Sequence, residues 1–387
     1  MFISLTLLVL AGLLGPLLAA GRRPLAPVLV GELVAGAILG RTGLHVLVPT
    51  AQPFPAFSAL GFAMLMLDAG REVDLGSKQL RGGAARAGLA LLITLAASLP
   101  IGLAIGGLFP TGHSLLLVVL LAGSSAAVAF PTIRERGLTG PAIAMVITWI
   151  TLADAVTAVL MPLTLAAAGG IPLALVGDFL IIVVAAGSIV VAHRLFRTSL
   201  ADEVKRESKH RHWALQLRLS VLLLLALASI AEGTGGSLLV AGFAAGIVLR
   251  RFDEPNRLAQ QEAGLASGFF VPAFFVLLGA NLDLSALVHS ASAIGLALAM
   301  AIGATSLHVA ASLVAGKETR LPAGLLASAQ LGLPAAAAAL GLAGGMLMPA
   351  VAAALVAGGV LTLIPASAGA LLLARKSVVV TTPATPA

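Results

Sequence analysis

The chain has 387 residues, of which 59% are hydrophobic and only 10% charged, with a mean hydropathy of +1.08. No soluble core needs apolar sequence spread along a whole chain, so the composition predicts a polytopic membrane protein. Cysteine is absent, which excludes disulfides and thiol chemistry; the formal charge of +7 sits in short loops between apolar runs, which argues against nucleic acid as a partner.

In chain order the apolar runs read as about thirteen transmembrane spans: 2–20, 26–41, 55–71, 87–108, 114–132, 141–168, 172–193, 213–231, 236–250, 260–280, 290–315, 321–343 and 347–374. The first is not a secretory leader: it lacks a basic n-region, and Arg22 and Arg23 follow the apolar stretch. Of the 23 Lys and Arg residues, all but Arg41 and Arg218 fall in odd-numbered loops or the tail. Basic loops stay cytoplasmic, so the expected topology in the cell (inner) membrane is N-terminus outside and C-terminus inside. The longest polar stretch, Thr198 to His212, reads as a mixed-charge cytoplasmic linker, and no regulatory domain is expected in the short tail.

That linker divides two similar halves. Leu67–Leu75 (LDAGREVDL) and Val276–Leu284 (VLLGANLDL) align Gly70 with Gly279 and Asp74 with Asp283 at one common offset. Val30–Leu39 and Ala241–Leu249 align at nearly the same offset. The first half begins outside and the second inside, so the expected architecture is all-α with two inverted six-helix repeats. The expected domains are 1–171 (first repeat), 172–212 (linking span and linker), 213–374 (second repeat) and 375–387 (tail).

Corresponding spans of the two halves carry helix breakers. Span five has Ser124, Ser125 and Pro131, and span twelve has Ser328, Gly332 and Pro334. Paired interruptions of this kind point to a substrate site near the bilayer midplane, where freed carbonyls can hold a cation and half-helix ends offer dipoles. Span six then places one ionisable side chain, Asp154, in an apolar run from Pro141 to Ala168. Thirteen residues from Pro141 correspond to roughly 20 Å of helix, well inside a core of about 30 Å. An acid there costs at least about 2.5 kcal/mol and marks a functional site by default. Thr151 and Thr157 share its helical face, which makes an oxygen-rich spot suited to a proton or a small hard cation.

Several stretches together carry a family resemblance: GELVAGAILG (31–40), FAMLMLDAGREVDL (62–75), SSAAVAFPTIRERG (124–137), LADAVTAVL (152–160), AEGTGGSLLVAGFAAGIVL (231–249) and FFVPAFFVLLGANLDL (269–284). The chain resembles the monovalent cation:proton antiporter superfamily, closest to its bacterial second family. The resemblance implies that spans five and twelve break and cross, and that the acid of span six, Asp154, binds cation and proton in turn. It further implies transported Na+ or K+ and H+, a lipid bilayer setting, a homodimer, no cofactor, no resident metal and no enzymatic activity. This chain departs from the family pattern at three places. Ala153 precedes the acid where the family usually has Asp, Asn or Gln. The middle of span eleven, near Ala304 and Thr305, lacks the family's basic residue, with His308 one turn further on. Leu331-Gly332-Leu333 replaces an Arg-Gly-Glu-like run. A single carboxylate holds one proton or one monovalent cation, so the expected exchange is one for one and electroneutral.

Glu32, His308 and Gln330 are further candidates for coupling or for lining the ion's path, each also readable as a helix-packing residue. Asp178 reads as interfacial, Glu232 as a possible helix cap, and Asp68 with Arg71 and Glu72 as a snorkelling surface group. The Gly-rich spans two and nine suit close helix packing, within the chain or across a dimer. Other readings stay open at this point. One is a sodium-coupled organic-solute symporter and another a degenerate, non-transporting relative. An intramembrane protease would need two acids, or a Ser–His pair, at spacings not found here.

Overall fold

The computed structural model describes residues 2–19, 28–72, 78–109, 111–165, 171–195, 203, 206–208, 210–211, 213–234, 236–251, 264–317 and 319–379. Arg22, Arg23, Asp74, Arg257, most of the 198–212 linker and the tail beyond Val379 lie outside them. Among the described residues there is no strand.

The helices are α1 (Phe2–Gly12), α2 (Leu14–Ala19), α3 (Val28–Leu39), α4 (Phe54–Glu72), α5 (Lys78–Leu108), α6 (Ser114–Ala122), α7 (Ala126–Glu135), α8 (Pro141–Leu165) and α9 (Ile171–Leu195). They continue with α10 (Leu215–Thr234), α11 (Leu238–Arg251), a π-helical turn (Ala266–Phe270), α12 (Val271–Asn281), α13 (Leu284–Val288) and α14 (Ala291–Ala311). A 3-10 turn (Ser312–Val314) precedes α15 (Arg320–Ala327), α16 (Gly332–Ala343) and α17 (Pro349–Val379). Each predicted span coincides with one helix or with two consecutive helical segments. Among the described residues, seven stretches have the length and hydropathy to cross a membrane, and four shorter apolar helices accompany them. The protein is a multi-pass membrane protein.

The chain divides into two compact units, each drawn from both halves of the sequence. The first comprises Met1–Val73 and Ala166–Leu282. Its helices meet backbone to backbone. A Cβ on Gly36 of α3 would lie 2.0 Å from the Val276 carbonyl oxygen of α12, and one on Gly279 of α12 would lie 2.0 Å from that of Leu33. The same arrangement recurs between α4 and α11: a Cβ on Gly246 would lie 2.1 Å from the Leu67 oxygen, and one on Gly70 would lie 2.1 Å from that of Phe243. These contacts correspond, residue for residue, at the offset of about 210 that aligns the two halves. Only glycine permits such an approach. The Gly-rich faces of spans two and nine therefore pack within the chain. Leu8, Ala35, Phe54, Ala273 and Leu277 fill the core beside α3 and α12.

Asp178 differs from its expected interfacial setting. It is buried on α9, and its Oδ1 accepts the Ser237 N–H at 2.7 Å, at the start of α11. The apolar flank of α9 cannot satisfy that helix end, so the acid does. Glu232 is exposed and α11 takes its cap from Asp178 instead.

The second unit comprises Asp74–Leu165 and Asp283–Ala387. Gly140, at φ +104, closes a turn and Pro141 opens α8, where its missing N–H costs no helical bond. Ser290 caps α14 by accepting the Ala293 N–H. The core holds Trp149 and Ile150 of α8 with Ala126, Ala129 and Phe130 of α7, Ala327 of α15 and Ala370 of α17. Small residues dominate around α16, where Ala335 to Ala338 are fully buried. This lets interrupted helices come close enough for their backbones to be satisfied by neighbours.

Candidate functional site

Two interruptions define the centre of the second unit. The first runs from Gly123 to Ser125 between α6 and α7, and the second from Ser328 to Leu331 between α15 and α16. Pro131 does not make the first break, as its position in the sequence suggested; it lies inside α7. The reason is that the helix restarts where polar groups can take up its first N–H groups. Ser125 offers its carbonyl to Ala129 N–H at 3.0 Å, and Asp154 Oδ2 accepts the Ala126 N–H at 3.1 Å. Gly332 and Pro334 do belong to the second break, in the first turn of α16, where proline is tolerated.

Asp154 thus faces the positive end of α7. A Cβ on Gly332 would stand 3.6 Å from the Ser125 hydroxyl, so the N-terminus of α16 comes to the same place. Ser125 and Thr151 are both buried, and neither hydroxyl has a hydrogen-bond partner among the described residues. Thr157 is different: its hydroxyl donates to the Ala153 carbonyl at 2.6 Å, one turn back along α8. The two helix N-termini carry partial positive charge and ligate no cation; the chemistry available to an ion is a carboxylate with one oxygen engaged and two unengaged hydroxyls. Such a set can hold a proton or a hard monovalent cation. No group of three or more metal-ligating side chains occurs among the described residues.

The expectation that the breaks free carbonyls for an ion meets a different finding. At the end of α15 every terminal carbonyl is taken. Ser328 N–H bonds the Gly324 oxygen, Ser328 Oγ that of Leu325, Ala329 N–H that of Leu326, and Ser124 Oγ that of Ala327 at 2.6 Å. At the end of α6, Gly123 N–H reaches the Val119 and Leu120 oxygens. Gln330 Nε2 donates to the carbonyls of Gly123 at 2.7 Å and Leu121 at 3.3 Å. Buried carbonyls find partners wherever donors are in reach, and here each break supplies the other's. Thr362 of α17 holds the Gln330 N–H at 2.9 Å. Gly359 leaves room for that approach: its Cβ would stand 2.8 Å from the Gln330 carbonyl oxygen. Sequence reasoning passes over Thr362, although it is one of only two hydroxyls, with Ser367, inside the apolar run of span thirteen.

The remaining candidates make other contacts. His308 of α14 is fully buried, with Nδ1 donating to the Ala304 carbonyl at 2.8 Å. Its ring stacks on Trp149 at 5.4 Å between centroids, and His308 Nε2 and Trp149 Nε1 have no partner among the described residues. Glu32 lies on α3 in the first unit, 1% exposed, with Oε2 also unpartnered among the described residues.

A family model described as "Sodium/hydrogen exchanger, transmembrane" matches residues 6–374. Among curated proteins, the chain is 25% identical over 309 residues to YjbQ of Bacillus subtilis, covering 73% of this chain and 47% of that protein. It is 28% identical over 289 residues to the Na(+)/H(+) antiporter NhaS5 of Synechocystis sp., covering 72% of this chain and 39% of that one. The chain therefore spans less than half the length of these relatives. Its fold is similar to that of the sodium proton antiporter MjNhaP1 from Methanocaldococcus jannaschii, with a TM-score of 0.61 and 18% identity over 97% of both chains.

Proposed function

The chain belongs to the transmembrane sodium/hydrogen exchanger family, whose members are transporters and not enzymes, and from that premise we propose that it exchanges a monovalent cation, Na+ or K+, for protons by alternating access. Asp154 is the shared site in this reading, with Thr151 and Ser125 as neutral oxygen ligands. The observation that carries it is the Asp154 carboxyl set against the start of α7, one oxygen engaged and the other open, in a membrane helix beside two breaks. A carboxylate that holds either H+ or a cation, and never both, couples the two fluxes. With no second acid in the cluster, the exchange is one for one and electroneutral.

The same reading includes thirteen spans in two inverted repeats, with broken helices that cross. The mirrored glycine contacts of the first unit and the loop charges support it. It also places the protein in the inner membrane, N-terminus outside and C-terminus inside, as a homodimer. Thiol labelling of introduced loop cysteines tests the topology, and native mass measurement tests the dimer.

The decisive experiment is proton flux in sealed proteoliposomes, read with a pH dye under imposed Na+ or K+ gradients, with the voltage clamped or left free. Flux that depends on the cation and ignores voltage is the expected result. Because the two ions compete for one site, the apparent KM for the cation rises about tenfold for each unit by which pH falls on the acid side of the site's titration. Voltage-sensitive flux would overturn electroneutrality and implicate a second charge, with Glu32 and His308 first in line. Absence of flux with both ions would return weight to a solute symporter or a non-transporting relative.

A further inference from the structure

Gln330 occupies the place that the sequence reserves for an ion. The interruption of span five leaves the carbonyl end of α6 inside the protein, a ready-made site of partial negative charge. The Gln330 amide nitrogen lies 2.7 Å from the Gly123 oxygen and 3.3 Å from that of Leu121. One neutral donor thus spans two carbonyls, as a coordinated cation would. Gln330 is 3% exposed and its own backbone is pinned to Thr362 on α17, so the amide is presented by a fixed stretch of chain. The reciprocal tie, Ser124 Oγ to the Ala327 carbonyl, closes the other break in the same way.

We infer that Gln330 is a positioning and specificity-determining residue: it plugs the carbonyl end of α6, so that the transported cation is held by side-chain oxygens at the α7 end alone. The inference rests on the antiport reading and extends it. Unplugged, the two carbonyl oxygens would be a further resting place for the transported cation, from which it leaves more slowly. The amide keeps that place closed. It also keeps the first break rigid, so that the Ala126 N–H stays opposite Asp154. A glutamine serves here where lysine or arginine cannot, since its donors bring no net charge into the neighbourhood of the carboxylate.

Three variants test this in proteoliposomes: Gln330→Met, which keeps length and removes the donors; Gln330→Glu, whose carboxylate repels the carbonyls; and Gln330→His, which restores an N–H at the same reach. In the methionine variant the KM for Na+ falls at least threefold and kcat falls at least as far, because a freed carbonyl pair retains the ion. The ratio of the Na+ and K+ constants shifts with it. Gln330→Glu impairs turnover more strongly, and Gln330→His returns both constants to within about twofold of the parent. Fold is checked by monodispersity in detergent, and Na+-dependent protection against heat repeats the comparison without transport. If the methionine variant is folded and active with KM and ion preference unchanged, the plug is wrong while antiport stands. If the parent shows no cation-dependent flux, antiport fails, and the heat-protection comparison still judges the plug: equal protection by Na+ in parent and Gln330→Met overturns it.

Discussion

The two units solve one physical problem in opposite ways. A helix in a bilayer must satisfy every backbone group internally, because lipid offers no partners. In the first unit α3, α4, α11 and α12 leave the ladder intact and press glycine against carbonyl, so the stabilising contacts are dispersion forces between backbones. In the second unit the ladder is cut twice, and Ser124, Gln330, Ser328, Thr362 and Asp154 stitch the cut ends. Continuous packing gives a body that tolerates no added atom. Interrupted packing gives one whose polar groups are exposed to exchange of partner, which is what an ion site requires. Each unit also sets an acid against a helix start, Asp178 on α11 and Asp154 on α7. Unengaged hydroxyls flank Asp154, whereas the Asp178 neighbourhood is glycine: Gly177 and Gly236.

The largest expected effect tests this division directly. Asp154→Asn removes cation-dependent proton flux by at least about 100-fold while leaving the melting temperature in detergent unchanged or higher, since the substitution deletes a costly buried charge. Retained flux in that variant would break the contrast between the units. Gly279→Val acts the other way. A side chain forced to within 2.0 Å of the Leu33 oxygen costs about 1–3 kcal/mol or more, so the yield of monodisperse protein and its melting temperature fall. The protein that does fold retains its KM for Na+. Third, Thr151→Val withdraws an unengaged hydroxyl and raises the KM for Na+ roughly five- to tenfold, about 1 kcal/mol, measured by initial rates in proteoliposomes. Smallest is Thr157→Val, whose hydroxyl proton is already committed to Ala153. Its KM stays within about twofold, and loss of that hydrogen bond lowers stability by about 1 kcal/mol on a thermal melt. Equal KM effects at the two threonines would show that hydroxyl commitment does not discriminate ligands.

Much of the fold was legible because a bilayer simplifies the reading. Apolar runs of sufficient length, bounded by Arg and Lys, predict helices at the places where they are found. Asp154 and the two interrupted spans stand out for the same reason, as an acid and a pair of corresponding interruptions in mostly apolar sequence. What the sequence could not show is partner choice across long separations. That the Gln330 amide ends on Gly123, or that Ala126 supplies the N–H for Asp154, depends on which helices lie side by side. Of the residues that mark the interruption of span five, Ser124 and Ser125 lie in the break and Pro131 does not: a proline advertises a missing N–H, whereas the restart is fixed by a carboxylate from another helix. Glu32 looked equivalent to His308 as a deep polar residue. Only the spatial grouping assigns Glu32 to the glycine-packed unit and His308 to the interrupted one.

The interleaving of the two units also governs how the protein is made. Each unit takes chain from both sides of the linker, so neither can close while the first half alone is in the membrane. Gly36 and Gly70 emerge about 240 and about 170 residues, respectively, ahead of the segments they pack against, which at ribosomal speeds of 5–20 residues per second is a wait of roughly 10–50 s. Through that interval the nascent chain displays bare small-residue faces to its surroundings. A second nascent copy presents the same faces, so misassembly between chains competes with completion within one, and slowed translation after the linker lowers the yield more than slowed translation before it.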